Sequence, residues 1–116
     1  MKAQELRVNN YVNLYNTIAR IIPNDFEKWF GNKWENDAFT PIPLTEEWLL
    51  KLGFEKYKDS FNDNRYRMDY YAHDIVFIGD ELYGYLDNQK LKNTIYVHQL
   101  QNLYFALTDE ELKLKL

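Results

Sequence analysis

Residues 65–71 read Arg65-Tyr66-Arg67-Met68-Asp69-Tyr70-Tyr71. The side chains alternate with the period of a β-strand that buries one of its two faces. One face then carries Tyr66, Met68 and Tyr70, and the other carries Arg65, Arg67, Asp69 and Tyr71. The run predicts a half-buried strand whose second face is charged and aromatic. For the arginines, the alternative is a solvated edge strand that charge protects from pairing.

The segment after this strand predicts an antiparallel meander. Residues 75–78 are a continuous apolar run, residues 79–81 are a Gly-Asp-Glu turn, and residues 82–86 form another strand before a polar loop. On the N-terminal side, the polar cluster 59–64 predicts a turn. A calcium loop is not favoured there, because Phe61 takes a ligand position of the EF-hand pattern.

Residues 43–54 predict a short helix. Thr45 can accept a hydrogen bond from a free N–H group of the first turn, and Gly53 can take the left-handed conformation that ends a helix. One face of this helix is apolar and can dock on a sheet; it consists of Trp48, Leu49 and Leu52.

The C-terminal segment changes period. Residues 94–97 predict a strand, and apolar residues at spacings of three and four predict an amphipathic helix over residues 98–107. Residues 112–116 alternate Leu with Lys, which favours a final strand. The alternative continues the helix, because residues 108–111 match the capping-box pattern.

The N-terminal segment is rich in strand formers. Residues 5–22 predict three short strands, with Asn9-Asn10 as a turn between the first two.

Residues 26–39 combine helical spacing at their start with a returning strand over residues 34–39. The sequence does not decide whether that stretch is ordered without a partner.

These elements predict an α+β fold, a small antiparallel sheet or partly open barrel with one or two short helices packed on it. Residues 1–116 form a single domain of ordinary size. Its N-terminal β part spans approximately residues 5–42, its helix residues 43–54, and its meander, second helix and final strand residues 65–116.

Composition excludes several classes of protein. The 116 residues include no cysteine, so disulfide scaffolds and Cys-based zinc folds are excluded. The net charge of −4 opposes general binding to a nucleic-acid backbone. The apolar runs are too short to span a bilayer, and the first residues lack a signal-peptide apolar region.

The residues for common catalytic chemistry are sparse. Ser60 is the single serine and lacks the surroundings of a nucleophile elbow, and His73 and His98 are the only histidines. The glycines are scattered, so phosphate-loop and dinucleotide signatures are missing. We therefore expect a protein that is not an enzyme and that uses neither a cofactor nor a metal.

Two blocks of the sequence resemble a known family. They are Pro41-Ile42-Pro43-Leu44-Thr45-Glu46-Glu47-Trp48-Leu49-Leu50-Lys51-Leu52-Gly53-Phe54 and Val97-His98-Gln99-Leu100-Gln101-Asn102-Leu103-Tyr104-Phe105-Ala106-Leu107-Thr108. They resemble small proteins of Bacteroidetes phages and prophages, a family with no established activity. The chain departs from that pattern near Asn9 and at Asp109, where members tend to have Gly. The resemblance implies a mobile-element origin and action in the bacterial cytoplasm.

The favoured hypothesis is a non-catalytic, anti-CRISPR-like inhibitor that binds a host protein, such as a nucleic-acid-binding defence effector. Net negative charge and abundant tyrosine suit a basic partner surface. One alternative is a nucleotide sponge, with arginines for phosphate and Tyr71 for stacking. A second is an accessory protein that binds nucleic acid through the same strand, which the net charge opposes.

The candidate binding residues belong to that strand and to the polar side of the second helix: Arg65, Arg67, Asp69, Tyr71, His98 and Gln101. A homodimer that pairs through the final strand is left open. No membrane partner is expected.

Overall fold

The computed structural model describes residues 6–15, 17–22, 39–70, 73–91, 96–112 and 114. Along these ranges the chain forms eight strands and two helices, so the predicted α+β class is confirmed. In chain order the elements are β1 (Tyr11–Leu14), β2 (Thr17–Arg20), β3 (Phe39–Thr40), α1 (Glu46–Lys51), β4 (Glu55–Lys58), β5 (Asn64–Tyr70), β6 (His73–Ile78), β7 (Tyr83–Leu86), β8 (Gln89–Lys90) and α2 (Val97–Thr108).

The larger sheet is an open antiparallel meander in the order β4-β5-β6-β7-β8. It confirms the predicted strands and adds two short ones, β4 and β8, at its edges. Strand β4 is not predictable from its sequence, because all four of its residues are exposed and show no apolar period. Since β4 covers one side of β5, the interpretation of β5 as an edge strand is wrong.

The smaller sheet has the order β2-β1-β3 and is also antiparallel. The predicted strand at residues 6–8 is wrong, because this segment forms an irregular turn in which Asn9 has a φ of 78°. The hairpin between β1 and β2 turns after Leu14 instead, where Tyr15 has a φ of 49°. Of the prediction for residues 26–39, only Phe39 lies within the described residues.

Helix α1 begins and ends as its sequence predicts. The Thr45 hydroxyl oxygen accepts a hydrogen bond from the Trp48 N–H at 3.3 Å. At the other end, Gly53 has a φ of +95°, its N–H donates to the Leu50 carbonyl, and the Phe54 N–H donates to the Leu49 carbonyl at 3.0 Å. This is the Schellman arrangement, which a left-handed glycine permits.

Helix α2 confirms the predicted amphipathic helix. At the start of the helix, the Gln99 side-chain oxygen accepts a hydrogen bond from the Tyr96 N–H at 3.1 Å. It ends at Asp109, which is left-handed with a φ of 58°. Of the predicted strand 94–97, Tyr96 forms an isolated bridge with Pro43, and residues 94 and 95 lie outside the described residues. The prediction is wrong at Val97, which is the first residue of α2.

The predicted final strand is wrong where the structure describes it. Leu112 and Leu114 belong to neither a strand nor a helix. Leu112 is buried against the main core, so its apolar side chain is satisfied by packing without strand pairing. The homodimer hypothesis that used this strand therefore loses its basis at these two residues.

The main core lies between the larger sheet and the two helices. Both helices place their apolar faces on the sheet side that carries Tyr66, Ile75 and Phe77. Gly84 faces Phe77 across the β6–β7 pair, and a Cβ atom there would lie 2.9 Å from the Phe77 ring. The missing side chain thus makes room for a buried aromatic ring.

A smaller core lies under the N-terminal sheet and consists of Leu6, Val12, Ile21 and Phe39.

Polar groups join this part to α2. The Arg7 guanidinium donates to the Asn102 side chain at 2.8 Å and to the Glu111 carboxylate at 2.6 Å, and it lies over the Phe105 ring. Asn10, which is fully buried, donates to the same Asn102 oxygen at 2.9 Å.

Candidate binding face

The larger sheet has one side that neither of the two described helices, α1 and α2, covers, and we call it the outer face. Because side chains alternate along a strand, the residues between the core positions point to this side. The register aligns them in rows: Tyr57 with Arg65, Arg65 with Ile78, Arg67 with Val76, Val76 with Tyr85, and Ile78 with Tyr83. A groove of about 420 Å³ runs across it and is lined by Tyr57, Arg65, Arg67, Asp74, Val76, Ile78, Tyr85 and Asn88.

The outer face combines aromatic, aliphatic and guanidinium groups. Tyr57 is 39% exposed and Tyr83 is 48% exposed, while Val76 and Ile78 are half-buried between them. Aliphatic side chains at the centre with tyrosines beside them give apolar contact area together with hydroxyl groups that remain accessible to water.

Arg65 is held by the turn between β4 and β5. Its Nε atom donates to Asp59 Oδ2 at 2.7 Å, and the Asp59 side chain is only 11% exposed. The other oxygen, Asp59 Oδ1, accepts from the backbone N–H groups of Phe61 and Asp63 at 2.9 and 3.0 Å. The Arg65 guanidinium, then the Asp63 N–H, keep the pKa of the Asp59 carboxyl below its ordinary value.

Arg67 is held by the neighbouring strand. Its Nε atom donates to Asp74 Oδ1 at 2.9 Å. The Asp74 N–H in turn donates to the Asp87 side chain at 2.8 Å, which ties β6 to the turn after β7. Both arginines of the outer face therefore have a carboxylate partner within the chain.

At the edge of the outer face formed by β7 and β8, two contacts fix the position of the Tyr83 ring. Its hydroxyl donates to the Glu81 carboxylate, and this hydrogen bond raises the pKa of Tyr83 above its ordinary value. Lys90 lies over the Tyr83 ring with its Nζ atom 4.9 Å from the ring centre. These contacts hold an exposed ring in a defined orientation.

The binding residues predicted from the sequence fall into different parts of the structure. Arg65 and Arg67 lie together on the outer face, and Asp69 stands opposite Asp74 in the β5–β6 register. Tyr71 lies outside the described residues.

The two helical candidates are interior residues. His98 is 3% exposed, and its ring stacks on the Tyr96 ring with centres 6.0 Å apart. Gln101 is 1% exposed, and its amide donates to the Asn9 carbonyl and accepts from the Tyr11 N–H. Both side chains are buried and offer almost no surface to a partner. Their burial therefore does not support the prediction that they are binding residues.

The sequence did not indicate five further outer-face residues, namely Tyr57, Val76, Ile78, Tyr83 and Tyr85. Tyr57 was missed with its strand β4. The others were assigned to strands, but a continuous apolar run does not show which side chains face the core. The alternation of Arg65 and Arg67 is the signal that identifies this face, because their strand pairs with β6.

Among the described residues, no three or more His, Asp and Glu side chains are placed to hold a metal ion. The groups on the outer face donate and accept hydrogen bonds, form ion pairs and offer apolar area. Such groups suit recognition of a surface.

The Asp59 carboxylate should make stability depend on pH. Because its pKa is lowered in the folded state, its stabilising contribution is present above the unfolded-state pKa of about 4 and is lost as the pH falls through the folded-state pKa. Asp59→Asn should therefore destabilise the protein most at pH 6–7, and the difference from the wild type should shrink towards pH 3.

This difference can be measured by urea unfolding across the pH range. Ser60→Ala in the same turn is the control, since it changes no titrating group. A wild-type to Asp59→Asn difference that is the same at pH 7 and at pH 3 would contradict the assigned ion pair.

No protein-family model matches the chain, and neither a curated protein nor a solved structure matches it. No helix in the described ranges has the length and apolar character needed to cross a bilayer.

Proposed function

We propose that this protein acts without catalysis, by binding a host protein through the outer face, and that it is an anti-defence inhibitor. The observation that carries the proposal is the composition of the outer face. Tyrosine and arginine side chains surround half-buried aliphatic groups on the side of the sheet that faces away from α1 and α2. Tyr and Arg are the residue types most enriched among interface hot spots.

The charges of this face favour a basic partner. Asp59 and Asp74 neutralise Arg65 and Arg67, and the exposed carboxylates of Glu81 and Asp87 outweigh the charge of Lys90 beside Tyr83. The chain as a whole has a net charge of −4. Complementary charge increases the rate of association and selects among partners, so a surface with exposed Lys and Arg is the expected target.

The ion pairs also weigh against the two alternatives. Each arginine already donates its Nε atom to a carboxylate, and the negative charge of Asp59 or Asp74 opposes the approach of a phosphate to the same guanidinium. Neither the nucleotide sponge nor the nucleic-acid accessory protein therefore gains support from these arginines, although both were reasonable from the sequence.

The proposal can be tested by affinity capture from a lysate of a Bacteroidetes host after nuclease treatment, followed by identification and purification of the retained protein. Its dissociation constant is then measured for the wild type and for the double variant Tyr57→Ala and Tyr83→Ala. We expect the double variant to bind roughly tenfold more weakly or worse, because each ring is an exposed contact residue.

Tyr15→Ala is the matched control, because Tyr15 is 55% exposed but lies on the N-terminal hairpin. It should bind like the wild type. Recovery of no protein partner, or equal losses in the control and the double variant, would contradict binding through the outer face. A captured partner without a role in host defence would contradict the anti-defence part alone.

A further inference from the structure

The turn between β4 and β5 presents an apolar ring to solvent. Phe61 is 83% exposed, more than any other large apolar side chain in the described ranges. A single exposed apolar residue on a protein surface is ordinary. This one is unusual because the backbone that carries it is fixed by several hydrogen bonds.

Asp59 fixes the conformation of the turn. Its Oδ1 atom accepts from the Phe61 and Asp63 N–H groups, its own N–H donates to the Asp63 carbonyl at 3.1 Å, and its carbonyl accepts from the Asn62 N–H at 3.0 Å. Asn62 supplies the left-handed residue of the turn, with a φ of 64°. A ring on such a turn loses little backbone freedom when it is bound, which is the condition for an efficient anchor.

Three exposed carboxylates lie in the two turns at this end of the sheet, where β4 also places the exposed Lys58. The Gly79 N–H donates to the Asn64 carbonyl at 2.9 Å, which places the turn between β6 and β7 beside the turn that carries Phe61. The two turns contribute Asp63, Asp80 and Glu81, all of them exposed. The apolar ring is therefore accompanied by negative charge.

The same aspartate connects the Phe61 turn with the outer face. One oxygen of Asp59 holds the Phe61 N–H, and the other holds the Arg65 guanidinium. Asp59 thus links the backbone of the Phe61 turn to Arg65 of the outer face.

From these contacts we infer that Phe61 is the anchor of the interface. It inserts into an apolar pocket of the partner protein, and Lys and Arg side chains at the rim of that pocket meet Asp63, Asp80 and Glu81. This inference rests on the proposed function and specifies the chemistry of the partner: a protein with an aromatic-sized pocket inside a basic surface.

The test is the affinity of the purified, captured partner for Phe61→Ala. We expect binding that is roughly tenfold to a hundredfold weaker with an unchanged urea midpoint, since the Phe61 side chain is 83% exposed in the folded chain. Phe61→Leu should recover part of the affinity. Ile18→Ala is the matched control, because Ile18 is 53% exposed on β2, and it should bind like the wild type.

The inferred contact between these carboxylates and the basic rim of the partner's pocket is tested by the dependence of affinity on salt. The double variant Asp63→Asn and Glu81→Gln should bind more weakly than the wild type at low salt and should lose less affinity as salt is added. An unchanged salt dependence would overturn the basic rim. Binding by Phe61→Ala within about twofold of the wild type would overturn the anchor.

The outcomes separate this inference from the proposed function. If Tyr57→Ala with Tyr83→Ala weakens binding and Phe61→Ala does not, the outer face stands and the anchor is wrong. If Phe61→Ala alone weakens binding, the anchor stands and the outer face is wrong. A dimer of this chain that dissociates in Phe61→Ala, measured by light scattering, would overturn the inference of a basic partner.

Discussion

Phe77→Ala should lower the free energy of unfolding by about 3–5 kcal/mol. Phe77 is fully buried in β6, the middle strand of the larger sheet, and its ring meets the Phe54 ring edge-on at 5.7 Å between centres. The substitution removes this aromatic contact and leaves a cavity beside Gly84, which has no side chain of its own to fill it. Since a domain of this kind has a total stability of about 5–15 kcal/mol, the loss is a large fraction.

Urea unfolding of the two proteins measures this effect. Val76→Ala is the matched control, because Val76 is the preceding residue of β6 but lies half-buried on the outer face. Its substitution should cost less than about 1.5 kcal/mol. Similar losses at both positions would show that the assignment of the two faces of β6 is wrong.

Gln101→Leu should lower the free energy of unfolding by about 2–4 kcal/mol, although leucine is similar in size to glutamine. The Gln101 amide accepts from the Tyr11 N–H at 2.8 Å and donates to the Asn9 carbonyl at 3.0 Å. Leucine offers neither a donor nor an acceptor, so both backbone groups would lose a hydrogen bond next to a fully buried side chain, Asn10.

Thermal and urea unfolding of Gln101→Leu test this role. Gln89→Leu makes the same substitution at an exposed position of β8 and should change stability by no more than about 0.5 kcal/mol. A Gln101→Leu variant as stable as Gln89→Leu would mean that these hydrogen bonds do not hold α2 to the N-terminal segment.

The parts of the fold that the sequence predicted are those controlled by neighbouring residues. Helix α1 depends on Thr45 at its start and Gly53 at its end, both within a few residues of the helix itself. The alternation in β5 predicted a buried Tyr66 beside an exposed Arg67, because period two alone separates the faces of a strand.

The parts that the sequence did not predict depend on contacts between distant residues. Arg7 and Glu111 form an ion pair across 104 positions of the chain, and no local pattern indicates that they meet. The same network explains why residues 6–8 are not a strand: Asn10 accepts from the Arg7 N–H, which holds the segment in a turn.

The candidate site divides in the same way. The position of Arg65 and Arg67 on one face was predictable from the alternation, whereas their partners Asp59 and Asp74 follow from the turn geometry and the β5–β6 register. Gln101 and His98 were misjudged because polar side chains on a helix usually face solvent. Here they face the N-terminal segment and Tyr96, respectively.

Hydroxyl-radical footprinting of the complex with the captured partner tests most directly whether the outer face is where this protein binds. The rings of Tyr57, Tyr83 and Tyr85 should become protected from oxidation when the partner is added, while Tyr15 on the hairpin should be oxidised at the same rate as in the free protein. Protection of Tyr15 without protection of the three sheet tyrosines would contradict the account.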